Sequence, residues 1–192
     1  FEYGPGNAVW SPDGRTIAFT MFTPGTTPSL AKPIAKPKGA EWSPPVRVFD
    51  DLQFRFDGAG YLEEGATHVY TLPITGGTPR QITKGDNDFG SPTWLGNDTL
   101  LVVGNDVEDA ELDPIESEIY AVSLAVLSRT ALTTRDGPDL APSVSPDGSK
   151  IAYLGYDDLV KSYQQADLYV MNADGSDVTE LAADFDRGFS TV

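Results

Sequence analysis

One phrase returns along this chain, and its spacing limits what the chain can fold into. Trp10-Ser-Pro-Asp-Gly14 leads into Arg15-Thr-Ile-Ala-Phe-Thr20, and Val144-Ser-Pro-Asp-Gly148 leads into Ser149-Lys-Ile-Ala-Tyr-Leu154. A degenerate copy, Pro92-Thr-Trp94-Leu-Gly-Asn-Asp98, stands between them and runs into Thr99-Leu-Leu-Val-Val103. The phrase is a turn with a mechanism: Pro presets φ, Asp bonds its own backbone, and Gly accepts positive φ. Ile17, Phe19, Leu101, Val103, Ile151 and Tyr153 make the following runs strand-like.

Each copy continues in the same order. A second strand-like run covers 67–72, 118–122 and 167–171. Turn residues follow, Thr75-Gly-Gly77 in one unit and Asn172-Ala-Asp-Gly175 in another. A short closing strand is expected at 80–83, 129–133 and 179–181. Four short strands per unit at a period near 50 residues, as between Trp94 and Val144, predict an all-β fold: a β-propeller of four-stranded antiparallel blades. A β-sandwich would account for the short strands but not for the repeated turn. No segment sustains the 3.6-residue apolar period that an α/β fold needs.

The whole of 1–192 then reads as a partial β-propeller, with blades at about 6–84, 88–134 and 139–183. Gly188-Phe-Ser-Thr-Val192 holds the place of a next blade's first strand, as Gly90-Ser-Pro-Thr-Trp94 does in the second. Rings typically use four to eight blades, so this is an incomplete arc of about three blades plus one strand. Its open edges need cover. The expectation is a piece of a longer polypeptide, or self-association through the open blade edges. A start at Phe1, with no basic and apolar leader, reads as a mature product or a fragment.

The first blade carries an insertion over 23–64. Its stretch from 24 to 45 is rich in Pro, Lys, Ala and Thr and reads as an extended excursion with a positive patch, Lys32, Lys36 and Lys38. Val46-Arg-Val-Phe49 and Leu52-Gln-Phe-Arg-Phe56 are expected to be ordered and partly buried.

Charge narrows the partners. Against 13 Lys+Arg stand 29 Asp+Glu, a net charge of −16, which repels phosphate and argues against nucleic acid. No run approaches the ~20 apolar residues of a membrane span, so no membrane partner is expected. With 40% hydrophobic residues the chain can still build a core. Zero cysteines exclude disulfides and Cys-zinc sites without fixing a compartment; the cytoplasm is the expectation over the periplasm.

Further residues carry a resemblance. Phe54-Arg-Phe-Asp-Gly58, Gly60-Tyr-Leu-Glu-Glu64, Thr67-His-Val-Tyr70 and Gly76-Gly-Thr-Pro-Arg-Gln-Ile-Thr83 follow one another. Glu111-Leu-Asp-Pro114, Ile119-Tyr120 and Ile151-Ala-Tyr-Leu-Gly-Tyr-Asp157 come later in the same order. Over nearly its whole length the chain resembles the N-terminal propeller of the prolyl oligopeptidase family of serine peptidases, in its acylaminoacyl-peptidase-like branch. The Ser-Pro-Asp-Gly turns alone are shared with Tol-system and WD-type propellers. The series from Phe54 to Tyr70 is more specific. The resemblance implies a parent with a C-terminal α/β-hydrolase domain bearing a Ser-Asp-His triad. In that parent the propeller would admit short peptides and exclude folded proteins. The alternative is a stand-alone Tol-system-like propeller acting as a protein-binding scaffold.

No catalytic residue is expected within the chain. A nucleophile elbow needs Gly-x-Ser-x-Gly at a strand-to-helix turn, and Gly188-Phe-Ser-Thr-Val192 ends in Val where a blade strand belongs, so Ser190 is not read as a nucleophile. Glu63 and Glu64 are candidates for a peptide's amino group, as acids are in some branches of the family. The competing reading is a solvated turn. Arg55 and Asp57, two apart, are read as an ion pair on one face and as weaker substrate-binding candidates. The acidic stretch 106–113 lacks the Gly and terminal Glu of a calcium loop and is read as solvated, with no metal or cofactor expected. His68 is the only histidine and is read as structural.

Overall fold

The computed structural model describes residues 3–25, 34–43, 48–49 and 51–192. Among them lie fourteen strands and no helix. β1 (Gly6–Trp10), β2 (Thr16–Pro24), β5 (Gly65–Pro73) and β6 (Arg80–Gln81) form one four-stranded sheet. β7 (Phe89–Leu95), β8 (Thr99–Gly104), β9 (Glu118–Ser123) and β10 (Arg129–Ala131) form the second. β11 (Asp139–Val144), β12 (Lys150–Gly155), β13 (Asp167–Asn172) and β14 (Thr179–Leu181) form the third. Every pairing within these sheets is antiparallel and joins consecutive strands, apart from the hairpin inserted between β2 and β5. These are three consecutive blades of an open β-propeller. β7 packs against both β1 and β11, so the first strands line the inner edge of the arc.

The repeated phrase closes the first hairpin of the outer two blades with one hydrogen-bond pattern. Gly14 N–H donates to Ser11 O (2.9 Å) and Gly148 N–H to Ser145 O (2.8 Å). Ser11 Oγ donates to Asp13 Oδ1 (2.7 Å) while accepting Thr16 N–H (3.0 Å). Ser145 Oγ does the same with Asp147 (2.6 Å) and Lys150 (3.0 Å). The serine is therefore as much a part of the turn as Pro, Asp and Gly. Gly14 and Gly148 stand at φ 67° and 73°, the region where a side chain is strained.

The middle sheet explains the densest apolar run. Leu100 and Val102 of β8 face the first blade, in a core with Ala18, Val69, Ile82 and Tyr120. Leu101 and Val103 face the third, with Ile119, Ile151, Tyr153 and Met171. A strand covered on both faces loses alternation and reads as continuous hydrophobic residues. Hydrogen bonds cross between blades, among them Trp94 Nε1 to Val9 O (3.3 Å), Thr93 Oγ1 to Pro142 O (3.1 Å), Asp13 N to Asn97 Oδ1 (3.1 Å) and Asp139 N to Ser117 O (2.7 Å).

Each first strand also carries the same irregularity. The register shifts between Gly6 and Val9, between Gly90 and Thr93, and between Leu140 and Ser143. Asn7, Ser91 and Ala141 at these shifts all have φ 49°. None is a glycine, so no residue type announces the bulge.

The insertion corrects an expectation. Its described strands are only the hairpin of β3 (Arg55–Phe56) and β4 (Gly60–Tyr61). Val48, Phe49, Leu52, Phe54 and Phe56 are exposed rather than partly buried. Three of the insertion's aromatic rings meet one another: Phe49 lies 5.3 Å from Phe54 and 5.1 Å from Tyr61, ring centre to ring centre. Lys36 and Lys38 are exposed outside any strand, and Lys32, Val46 and Arg47 fall outside the described residues. Residues 188–192 form no strand. A first strand exists here by pairing with the second strand of its own sheet, as in β1–β2, β7–β8 and β11–β12, and residues 188–192 pair with none of the described strands. Phe189 N–H instead donates to Ala166 O (2.9 Å).

Candidate functional site

Antiparallel connectivity sorts the loops. The turns within the first and last hairpins of each blade lie at one end of the arc. The connections from second to third strand, and from one blade to the next, lie at the other. The second end therefore gathers 82–88, 105–117, 132–138 and 156–166 with the described residues 51–64, which carry much of the acid.

Two adjoining clefts open there. One, of about 660 Å³, is lined by Asp51, Glu63, Asp86, Asp88, Glu111 and Glu116 beside Phe56, Leu62, Ile115, Leu140 and Tyr156, with no Lys or Arg among the described residues of its wall. The other, of about 630 Å³, shares Asp51, Gly65, Asp86 and Glu111 and adds Glu64, His68 and Lys84. Glu63 and Glu64 thus point into different clefts, as successive residues of an extended segment do. Glu63 Oε2 accepts the Tyr3 hydroxyl. Arg55 and Asp57 form an exposed pair, Nη2 to Oδ1 3.8 Å, and neither lines these clefts.

His68 is committed to the scaffold. Its Nε2 faces Gly85 O (3.2 Å) and its Nδ1 faces Thr83 Oγ1 (3.2 Å). A carbonyl only accepts, so Nε2 carries the proton. With burial favouring the neutral ring, Nδ1 is the acceptor for the hydroxyl of Thr83, whose Oγ1 also accepts Val69 N–H (2.9 Å). The ring is neutral in this network, and burial holds its pKa below the usual histidine value. Ser190 is exposed outside any strand.

A third group of acids was not singled out from the sequence. Glu118 occupies in the second blade the place of His68 in the first: Ile119 N–H donates to Thr133 Oγ1 (2.9 Å), as Val69 N–H does to Thr83 Oγ1. Glu116, Glu118 and Asp139 are 7%, 6% and 1% exposed. Burial raises all three pKa values, Glu118 to about 7 and Asp139 to about 6, the latter partly offset by Arg135. Arg135 Nε donates to Asp139 Oδ1 (3.0 Å), and its Nη1 to Asp157 Oδ1 (3.2 Å) and Tyr169 Oη (3.0 Å). The readable sign was Glu-Ser-Glu set directly before the apolar Ile119, where strand burial begins.

Three blades with loop-built acidic clefts define the protein class: a propeller module with carboxylates gathered at this end. Residues 59–157 match the model of the dipeptidyl peptidase IV (DPP IV) N-terminal region, and the chain belongs to that family. It is 27% identical over 177 residues to an uncharacterized protein of Agrobacterium fabrum, covering 90% of this chain and 56% of that one. Its fold is similar to that of Pyrococcus horikoshii acylaminoacyl peptidase (TM-score 0.64, 18% identity, 96% of this chain and 26% of that one). A Mycobacterium tuberculosis puromycin-hydrolyzing peptidase is also similar (TM-score 0.58, 16% identity, 96% and 23%). The chain spans about half the length of the curated relative and about a quarter of these peptidases.

Proposed function

We propose that this segment is the noncatalytic propeller of a prolyl-oligopeptidase-family serine peptidase, acylaminoacyl-peptidase-like. It gates peptide access to an α/β-hydrolase domain encoded outside these 192 residues. Membership of the DPP IV N-terminal region family carries the reading. The groove adds chemistry: its carboxylates suit a free amino group. Glu63, whose cleft has no Lys or Arg among its described residues, is the better placed of the two glutamates.

The test uses the full-length protein. It should be labelled by a fluorophosphonate, cleave short peptides and leave folded proteins intact. Its sequence past Val192 should contain Gly-x-Ser-x-Gly, then Asp, then His. A stop codon within one or two blades, or no labelling, overturns the reading.

One observation favours the second reading, a stand-alone Tol-system-like binding propeller. Less than half of the Agrobacterium protein lies outside the matched region, room for a few more blades but not for a large second domain. A full-length protein that closes its ring and stops there would support this reading.

A further inference from the structure

We propose that the pocket between the first and second blades, rimmed by Lys84 and Arg129, binds a small monocarboxylate carried on an apolar body. The pocket has a volume of about 520 Å³, a size that suits a small molecule. It lies where residues 82–84, which follow β6, face β9 and β10. Ile82, Tyr120 and Val122 are buried and join Leu127 in its apolar wall.

Arg129 is set up to receive an anion. Its guanidinium carbon lies 4.4 Å from the centre of the Phe89 ring and 5.3 Å from that of Tyr120. The two rings hold the group in place and shield it from water, leaving the side chain 26% exposed. Its Nη2 donates to Asp106, while Nε and Nη1 have no hydrogen-bond partner among the described residues. Lys84 is exposed, lines the same pocket and forms no ion pair among the described residues. Arg135 makes the contrast. Stacked 4.1 Å from Tyr169, it is engaged by Asp139, Asp157 and the Tyr169 hydroxyl.

The charges select the ligand. Lys84 and Arg129 supply two positive charges and Asp106 one negative, so a single monoanion balances the pocket. A phosphate dianion exceeds that balance, in a chain of net charge −16. A carboxylate accepts from the guanidinium and from the ammonium at once. The apolar wall then favours an acid with an aliphatic or aromatic body. Such a ligand would tie the first blade to the second, since Lys84 comes from one and Arg129 from the other. This inference does not depend on the peptidase reading.

Calorimetric titration of 4-phenylbutyrate into the purified full-length protein at about 0.15 M NaCl tests it. One saturable site is expected, with a Kd of about 1 mM or tighter for a ligand of this size. The matching amide, 4-phenylbutyramide, should bind at least tenfold more weakly. K84Q changes an exposed side chain and should keep the native circular dichroism while weakening 4-phenylbutyrate at least threefold. R129K keeps the charge, loses the planar fork and should weaken it at least as much. K161Q, an exposed lysine elsewhere, should leave binding unchanged. An acetylated pentapeptide ending in phenylalanine, added after fluorophosphonate treatment, separates the two sources of such a carboxylate. Binding tighter than that of 4-phenylbutyrate assigns the pocket to chain termini, and equal or weaker binding assigns it to free acids. The proposal is overturned by absence of saturable binding up to about 10 mM, by equal binding of the amide, or by an isotherm unchanged in either K84Q or R129K.

Discussion

At the scale of single residues, two positions show burial setting chemistry. His68 sits neutral in the network of Thr83 and Gly85, with a folded pKa below its unfolded value. On acidification the unfolded chain takes up this proton first. The stability His68 contributes is therefore present above the unfolded pKa of about 6.5 and is lost as pH falls through the folded one. Thermal melts between about pH 7.5 and 5 should show a steeper fall for the native protein than for His68→Gln, which keeps a donor and an acceptor. Gly155 is the second position. A Cβ there would overlap Asp139 Oδ1 and press on Pro138 O, so Gly155→Ala should cost about 2 kcal/mol or more in urea unfolding. His68 was legible as structural because no ligand-type neighbour accompanied it in sequence. Asp139 was not, because although Arg135 is four residues away, Glu118 comes from another blade, as does the burial that sets its chemistry.

At the scale of elements, the hairpin turns and the inner-strand bulges behave differently. Gly148 has φ 73° and open space where a Cβ would go, so Gly148→Ala should cost about 1 kcal/mol by conformation alone, and Gly148→Asn less. Ala141 makes the reverse case. It holds φ 49° without being glycine, so Ala141→Gly should raise the denaturation midpoint, a gain of up to about 1 kcal/mol. A loss of stability there would mean that the methyl group is needed. The turns were readable because Pro, Asp and Gly each act within four residues. The bulges were not, because Asn7, Ser91 and Ala141 are bent by packing of first strands against one another. The insertion misled for a related reason. Its Phe and Leu residues have core composition, but the first blade's faces are filled by β2 and β5, which leaves them on the surface.

At the scale of the whole molecule, the blade interfaces hold the arc together. Ile151 is fully buried in the core between the second and third blades, so Ile151→Ala should cost roughly 3 kcal/mol, and Ile151→Val about 1. Both can be read from urea unfolding of the purified protein. Net charge acts against compactness. With acids gathered at one end, raising NaCl from about 10 mM to about 150 mM should raise Tm, since screening weakens their mutual repulsion. A flat response would show that the acids are already neutralised by protons or bound cations.

The sequence by itself determined the blade count, the strand order and the turn chemistry, because these repeat locally and each residue acts on its near neighbours. It also carried the ordered motifs that resemble the peptidase propellers. Only the tertiary structure decided where the carboxylates converge. Asp113, Glu116 and Asp136 come from different connections, and Glu63 and Glu64, adjacent in sequence, part into separate clefts. Antiparallel strands return loops distant in sequence to one end, and that gathering of charge is a property of the folded arc rather than of any segment in it.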